Sequence, residues 1–205
     1  LHAPTIPDSA LKVMEQMRKP AASGQKGKSD RRFARTQDDL LTALRDLIFS
    51  RGYEEITVSD IVERANVGRS TFYEHYENKD DLFRQGLRGI VPVLADAVSE
   101  AYDRERLDFV VRHFWEQRGV LATISGGAAR VVLAGYLAEE LEARLARRRR
   151  TKRTAILPLH LIAMQIAEAQ IGLLVAWLSS RDVSAERAAA ALAASSQAIA
   201  AASGL

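Results

Sequence analysis

The chain has 205 residues, 47% of them hydrophobic and 27% charged, and a formal net charge of +3. It can bury a core, but so small an overall charge does not argue for a nucleic-acid partner. Cysteine is absent, which excludes disulfides, thiolate catalysis and cysteine-ligated zinc. No apolar run of about 18 residues lacks polar or charged interruption, and no basic segment followed by an apolar run opens the chain. Neither a membrane span nor a secretory signal is expected, and the expected location is cytoplasmic.

In chain order, Ser9 to Lys19 reads as a short helix, with Leu11, Met14 and Met17 on one side, and Pro20 to Asp30 as a linker rich in Ala, Ser, Gly and Lys. Basic residues crowd this region. Arg18, Lys19, Lys26, Lys28, Arg31, Arg32 and Arg35 face only Asp30. Residues 1–35 therefore read as an N-terminal extension, and Arg31, Arg32 and Arg35 as an arm able to follow a DNA backbone. Thr36 is expected to cap the first clear helix, with Asp39 at the capping-box position and Leu40, Ala43, Leu44, Leu47 and Ile48 at helical spacing. Gly52 ends it.

Thr57 opens a second helix with the same device, paired with Asp60. Ile61 and Val62 point inward, and Asn66 supplies the left-handed residue of a tight turn. A third helix runs from about Arg69 to Tyr76. Asn78 caps a long fourth helix whose stripe is Phe83, Leu87, Ile90, Leu94, Ala97 and Ala101. Gly86, Gly89 and Pro92 lie within it, so a kink is expected near Arg88. Further helices are expected over about 104–118, 127–148, 158–180 and 185–202. Their breaks fall at Gly119, at Gly126–Gly127, in a basic loop before Pro158 and at Arg181–Asp182. The second basic cluster, Arg144, Arg147 to Arg150, Lys152 and Arg153, reads as a solvated helix end and loop.

Two short helices joined by a four-residue turn cross steeply and present the second to a DNA major groove. Here that second helix opens with Arg69, Ser70, Thr71, Phe72 and Tyr73, which supply a bidentate donor, small hydroxyls and an amphipathic ring, types suited to base edges and phosphates. Phe72 and Tyr76 are expected to pack the head. Nothing suggests an enzyme. There is no paired Glu-x-x-His set, phosphate-cradling glycine loop or nucleophile elbow, and no cofactor or metal is expected.

From Thr36 to Leu87, and above all over the stretch 57–82, TVSDIVERANVGRSTFYEHYENKDDL, the sequence resembles the DNA-binding domain of the TetR family of transcription regulators. Asn66 stands where that family prefers Gly, and Gly68 where it often has a polar residue. The resemblance implies an all-α protein, with a three-helix helix-turn-helix head over 36–83 and a larger helical ligand-binding and dimerisation body over 84–205. It implies a regulator, commonly a repressor, released from a palindromic double-stranded operator by a small-molecule effector. Base contacts would fall on Arg69, Ser70, Thr71 and Tyr73. Phosphate contacts would fall on Thr71, Tyr73, His75 and Lys79, with Thr57 also at the DNA face. In the body, Phe109, His113, Phe114, Tyr136, Met164, Gln165, Glu168 and Trp177 are candidates for a partly apolar effector pocket. Gln165 and Glu168 stand out in an apolar helix, where they either orient a ligand or pair with a His or Arg inside the dimer. The helices near 158–180 and 185–202 are expected to build a homodimer, because the first is apolar nearly all round.

Overall fold

The computed structural model describes residues 28–148, 155–180 and 182–205, with side chains left out at 28–31, 120–122 and 148. The expected helix over Ser9 to Lys19, nearly all of the 20–30 linker, and Arg149, Arg150, Lys152 and Arg153 of the second basic cluster lie outside the described residues. Among those described, all regular structure is helical: α1 Lys28–Arg51, α2 Val58–Ala65, α3 Arg69–His75, α4 Lys79–Leu87, α5 Val91–Asp96, α6 Arg104–Glu116, α7 Arg118–Ile124, α8 Gly127–Arg148, α9 Leu159–Leu178 and α10 Ala185–Ala202.

Helix α1 starts at Lys28, two turns before the expected start. Thr36 and Asp39 are therefore interior residues, and the capping box expected there does not form. Between Lys28 and Arg35 the chain holds no Gly or Pro and is rich in Lys, Arg and Ala, so nothing stops the helix from extending backwards. The expected stripe does pack: Leu40, Ala43, Leu44, Leu47 and Ile48 are all buried.

The α2 start is as expected. The Thr57 hydroxyl accepts from the Asp60 amide at 3.3 Å, and the Asp60 carboxylate accepts from the Thr57 amide at 2.8 Å. The Thr57 hydroxyl also donates to the Asp60 carboxylate at 2.5 Å, and this bond, then the one from the Thr57 amide, holds that carboxyl below its ordinary range. Such a cap is worth about 1 kcal/mol. Asn66 ends the helix in the left-handed conformation, φ 53° and ψ 46°, where its short polar side chain is tolerated. Leu40, Tyr53, Ile56, Ile61, Phe72, Tyr76 and Leu82 are buried among helices α1 to α4, in a hydrophobic core continuous with that of the later helices.

The expected long fourth helix is in fact two. Helix α4 stops at Leu87, residues 88–90 form a turn, and α5 begins at Val91 with Pro92 in its first turn. A proline there removes no intrahelical bond, because first-turn amides have no partner in any case. The chain thus breaks and restarts rather than kinks, and Ala97 and Ala101 lie beyond the end of α5. The break expected at Gly119 falls instead at Gln117, and Gly119 sits inside the short α7, which the sequence reading did not separate.

In the body, α8 and α9 form the most extensive helix pair, flanked by α5, α6 and α10. Arg144, read as part of a solvated run, is largely buried. Its guanidinium donates to the Asp96 carboxylate and to Glu140, both at 2.6 Å, and to the Pro92 carbonyl at 3.1 Å, fixing α5 on α8. Gln170, also buried, donates to the Leu94 carbonyl at 3.1 Å and to Ser196 at 2.9 Å. Helix α9 is long and apolar enough to cross a membrane by composition, yet one side of it packs into this body.

Candidate nucleic-acid interface

The α2–α3 pair is held by its inward side chains. Phe72 is fully buried, with its ring edge-on to Tyr73 at 5.4 Å and tilted to Tyr76 at 5.8 Å. The remaining faces of α3 look outward. Arg69, Ser70, Tyr73 and Glu74 are exposed, Tyr73 by 58%, and Thr71 is half-buried. Gly68 at the α3 N-cap offers no side-chain bond. In this state the Arg69 guanidinium folds back onto the Ser59 hydroxyl of α2. An exposed arginine held by one hydroxyl can swing outward to a base edge.

His75 and Lys79 are placed less freely than the sequence suggests. The His75 ring lies against Phe33 of α1, with centroids 4.0 Å apart, and its buried Nδ1 has no hydrogen-bond partner among the described residues. Lys79 donates to the Tyr53 carbonyl at 2.9 Å and the Ile56 carbonyl at 2.8 Å, and its ammonium sits 4.6 Å from the centre of the Tyr53 ring. The Tyr53 hydroxyl donates to the Asp80 carboxylate. Burial, and then this carboxylate, raise the Tyr53 pKa far above its ordinary value, so the phenol keeps its proton. Lys79 and Tyr53 together staple the 52–57 turn to the start of α4, which sets the angle at which α2 and α3 leave α1.

Arg32 and Arg35 are exposed on the first turns of α1, and the Phe33–His75 contact brings that segment beside the end of α3. The side chain of Arg31 is not described. Phe33 and Ser59 are partners that the sequence reading missed; the only signal for Phe33 was a lone aromatic inside a basic run.

Residues 40–85 match the family model of bacterial regulatory proteins of the tetR family. The chain carries a TetR-family DNA-binding domain. Over 56 residues it is 43% identical to an uncharacterized HTH-type transcriptional regulator, YxbF, of Bacillus subtilis, a match covering 27% of this chain and 15% of that one. Over 47 residues it is 40% identical to the transcriptional activator DhaS of the dhaKLM operon in Lactococcus lactis, covering 23% and 25%. The chain thus spans a quarter or less of these two curated relatives, and what it shares with them is the head. The whole described fold is similar to the crystal structure of a TetR transcriptional regulator from Streptococcus agalactiae. The TM-score is 0.53 and the identity 24%, over 82% of this chain and 97% of the other. The TetR head is therefore joined to an all-helical body of matching fold.

The candidate effector residues are scattered through that body. Of the eight, only Phe114 lines its apolar cavity, together with Leu87, Ile90, Leu94, Ile124, Leu133, Ile171, Leu174 and Val175. The cavity is about 20 Å³, room for about one water molecule. Tyr136 lies under the Arg84 guanidinium at 4.7 Å. Trp177 packs on Trp115 at 5.4 Å and donates to the Val183 carbonyl at 2.9 Å. Glu168 pairs within the chain with Arg130 at 2.5 Å. Phe109 is partly buried, and so is His113, whose imidazole burial holds below its ordinary pKa. Met164 and Gln165 are exposed on the outer side of α9, away from the interior. Helical periodicity places them on a face but does not say whether the chain's own core lies behind it.

Proposed function

We propose that this TetR-family regulator binds a palindromic DNA operator as a homodimer, represses the adjacent gene, and lets go when a small molecule enters its body. The observation that carries the DNA-binding part is the face of α3: Arg69, Ser70 and Tyr73 exposed on a short helix whose other side is anchored by Phe72. Arg69, Ser70, Thr71 and Tyr73 are the proposed readers of base edges. Thr57, His75 and Lys79 frame them at the phosphates. Lys79 acts mainly by bracing the 52–57 turn, since its ammonium is already shared among backbone carbonyls. Arg32 and Arg35, with Arg31, extend the basic face along the backbone.

The dimer reading is supported by the outer faces of α9 and α10. Leu161, Met164, Gln165, Ala169, Gly172 and Ala176 are exposed along α9, and Ala190, Ala191, Ala194, Ala198 and Ala201 along α10. Both series follow the three-to-four spacing of one helix face. Such small and apolar faces allow the close approach of a second copy, and a two-fold pair would set two α3 helices about one DNA turn, or a multiple of it, apart.

The effector reading is supported by an apolar cavity, two of whose walls are Leu87, at the edge of the break between head and body, and Ile90, within it. A ligand that fits must be apolar and must widen the cavity, pressing on that break. It acts only through unequal affinity for the two shapes. The test is selection of bound duplexes from a genomic library, then titration of the selected duplex. Repression is tested with a reporter fused to the selected site, where loss of the protein should raise expression.

A further inference from the structure

The 88–90 break leaves the head joined to the body by a three-residue turn, yet the head is also clipped to one body helix. The Glu54 carboxylate, in the loop after α1, accepts a hydrogen bond from the Ala128 amide at 2.9 Å, at the first turn of α8. A carboxylate at the positive end of a 22-residue helix is well placed electrostatically. The fit is close. Gly127 has φ +55°, and a Cβ added there would collide with the Glu54 carboxylate. Eleven residues farther along α8, roughly 16 Å up its axis, Glu139 receives both terminal nitrogens of Arg84 from α4, and the Arg84 guanidinium also covers Tyr136. Helix α1 leans on α7 as well, with Phe49 close to Gly119. Beyond the break, Arg144 holds α5 to the same α8.

We infer that α8 is the seat of the head, and that Glu54 and Arg84 are a pair of releasable clips that set the head's orientation about a hinge at residues 88–90. The clips on the two sides of the break differ in exposure. The Arg144–Asp96 pair, on the body side, is 17% and 49% exposed, whereas the Arg84–Glu139 pair that holds the head is 36% and 59% exposed and Glu54 is open to solvent. Exposed pairs are weak and salt-screened, so the head side gives way first. The head then turns as a unit while α5 stays in place. This deepens the proposed regulation, since any displacement of α8 is passed to the head through Glu54 and Glu139. The head-docking claim itself does not depend on DNA binding or on dimerisation.

The absence of cysteine makes the test direct. Spin labels at Glu63→Cys on α2 and Ala146→Cys on α8 report the head-to-body distance, with labelled chains diluted into unlabelled protein so that only intrachain pairs are read. The parent protein in low salt should give one narrow distance. Glu54→Ala and Glu139→Ala should each raise a second, displaced population, increasing its ratio to the docked one by about two- to fivefold, and the double variant by more. Salt at about 1 M should move the parent the same way. Glu54→Gln, which keeps an acceptor for the Ala128 amide, should restore most of the narrow distribution. The salt arm needs no mutation and stands even if a variant folds poorly. A single unchanged distance in the double variant and in high salt would overturn the inference. Failure of the selected duplex to bind would instead count against the proposed function alone.

Discussion

Phe72→Ala should melt the head and leave the body standing. Phe72 is fully buried and is the buried side chain of the short α3. Removing a buried phenyl ring costs about 3–5 kcal/mol. The head runs over roughly 60 residues from Lys28 to Leu87, which at about 0.05–0.15 kcal/mol per residue gives it about 3–9 kcal/mol of its own. The loss is therefore comparable with the head's whole stability. Helices α2 and α3 have 8 and 7 residues, too few to persist without tertiary packing. Peptide-resolved hydrogen exchange should show protection lost over 40–85 and kept over α8, α9 and α10, with no duplex binding. Phe72→Leu, which removes fewer buried atoms and so costs less than Phe72→Ala, should keep both protection and binding. Unchanged protection over 58–76 in Phe72→Ala would refute the idea that this ring anchors α3.

Arg144→Met removes bonds to Asp96, Glu140 and the Pro92 carbonyl, partly screened because Asp96 is half-exposed. It should cost about 1–2 kcal/mol and lower the melting temperature by about 2–8 °C, whereas the exposed Arg147→Met should leave it unchanged. His113 is held below its ordinary value of 6.5 by burial, against a smaller opposing pull from Glu116. The folded state thus prefers neutral imidazole, so stability present above about pH 6.5 falls as pH drops through that value. In His113→Leu the unfolding midpoint should fall less between pH 7.5 and 5.5 than in the parent, and equal falls would remove His113 from the account. Ala194→Glu places a charge on the outer face of α10, exposed within one chain. It should leave the helical content intact but give a single-chain mass by sedimentation at micromolar concentration, and a retained two-chain mass would place the dimer elsewhere.

The parts of the fold that were legible in the sequence are those whose bonds close locally. The Thr57–Asp60 box, the Asn66 turn and the Asn78 cap each act within about three residues and were read from type and spacing, although the same pattern at Thr36–Asp39 lies inside α1 and caps nothing. The α3 face was legible for the same reason, with Phe72 and Tyr76 inward and Arg69, Ser70 and Tyr73 outward. Features that depend on distant partners were not. Arg144 sits in a charge run, but its partners Pro92 and Asp96 lie 52 and 48 residues away. Glu54 meets α8 across 74 residues, hinted at only by the Gly126–Gly127 pair. Pro92 was ambiguous because the same ring kinks a helix interior and suits a helix start, and only packing decides which. The body's apolar stripes located most of its helices but neither the break at 88–90 nor the short α7, and they could not separate core from outer face, so Met164 and Gln165 lie outside rather than in an interior pocket.

The central claim is that α3 reads DNA in pairs, and the most direct measurement is the affinity of the selected duplex across a salt series, for the parent and for Arg69→Ala. The account predicts two chains per duplex and a log–log salt slope steep enough for several phosphate contacts. It also predicts that Arg69→Ala weakens the selected duplex by about 1–3 kcal/mol while leaving a scrambled duplex nearly unaffected. A selected duplex bound no better than a scrambled one, or bound equally well by Arg69→Ala, would contradict it.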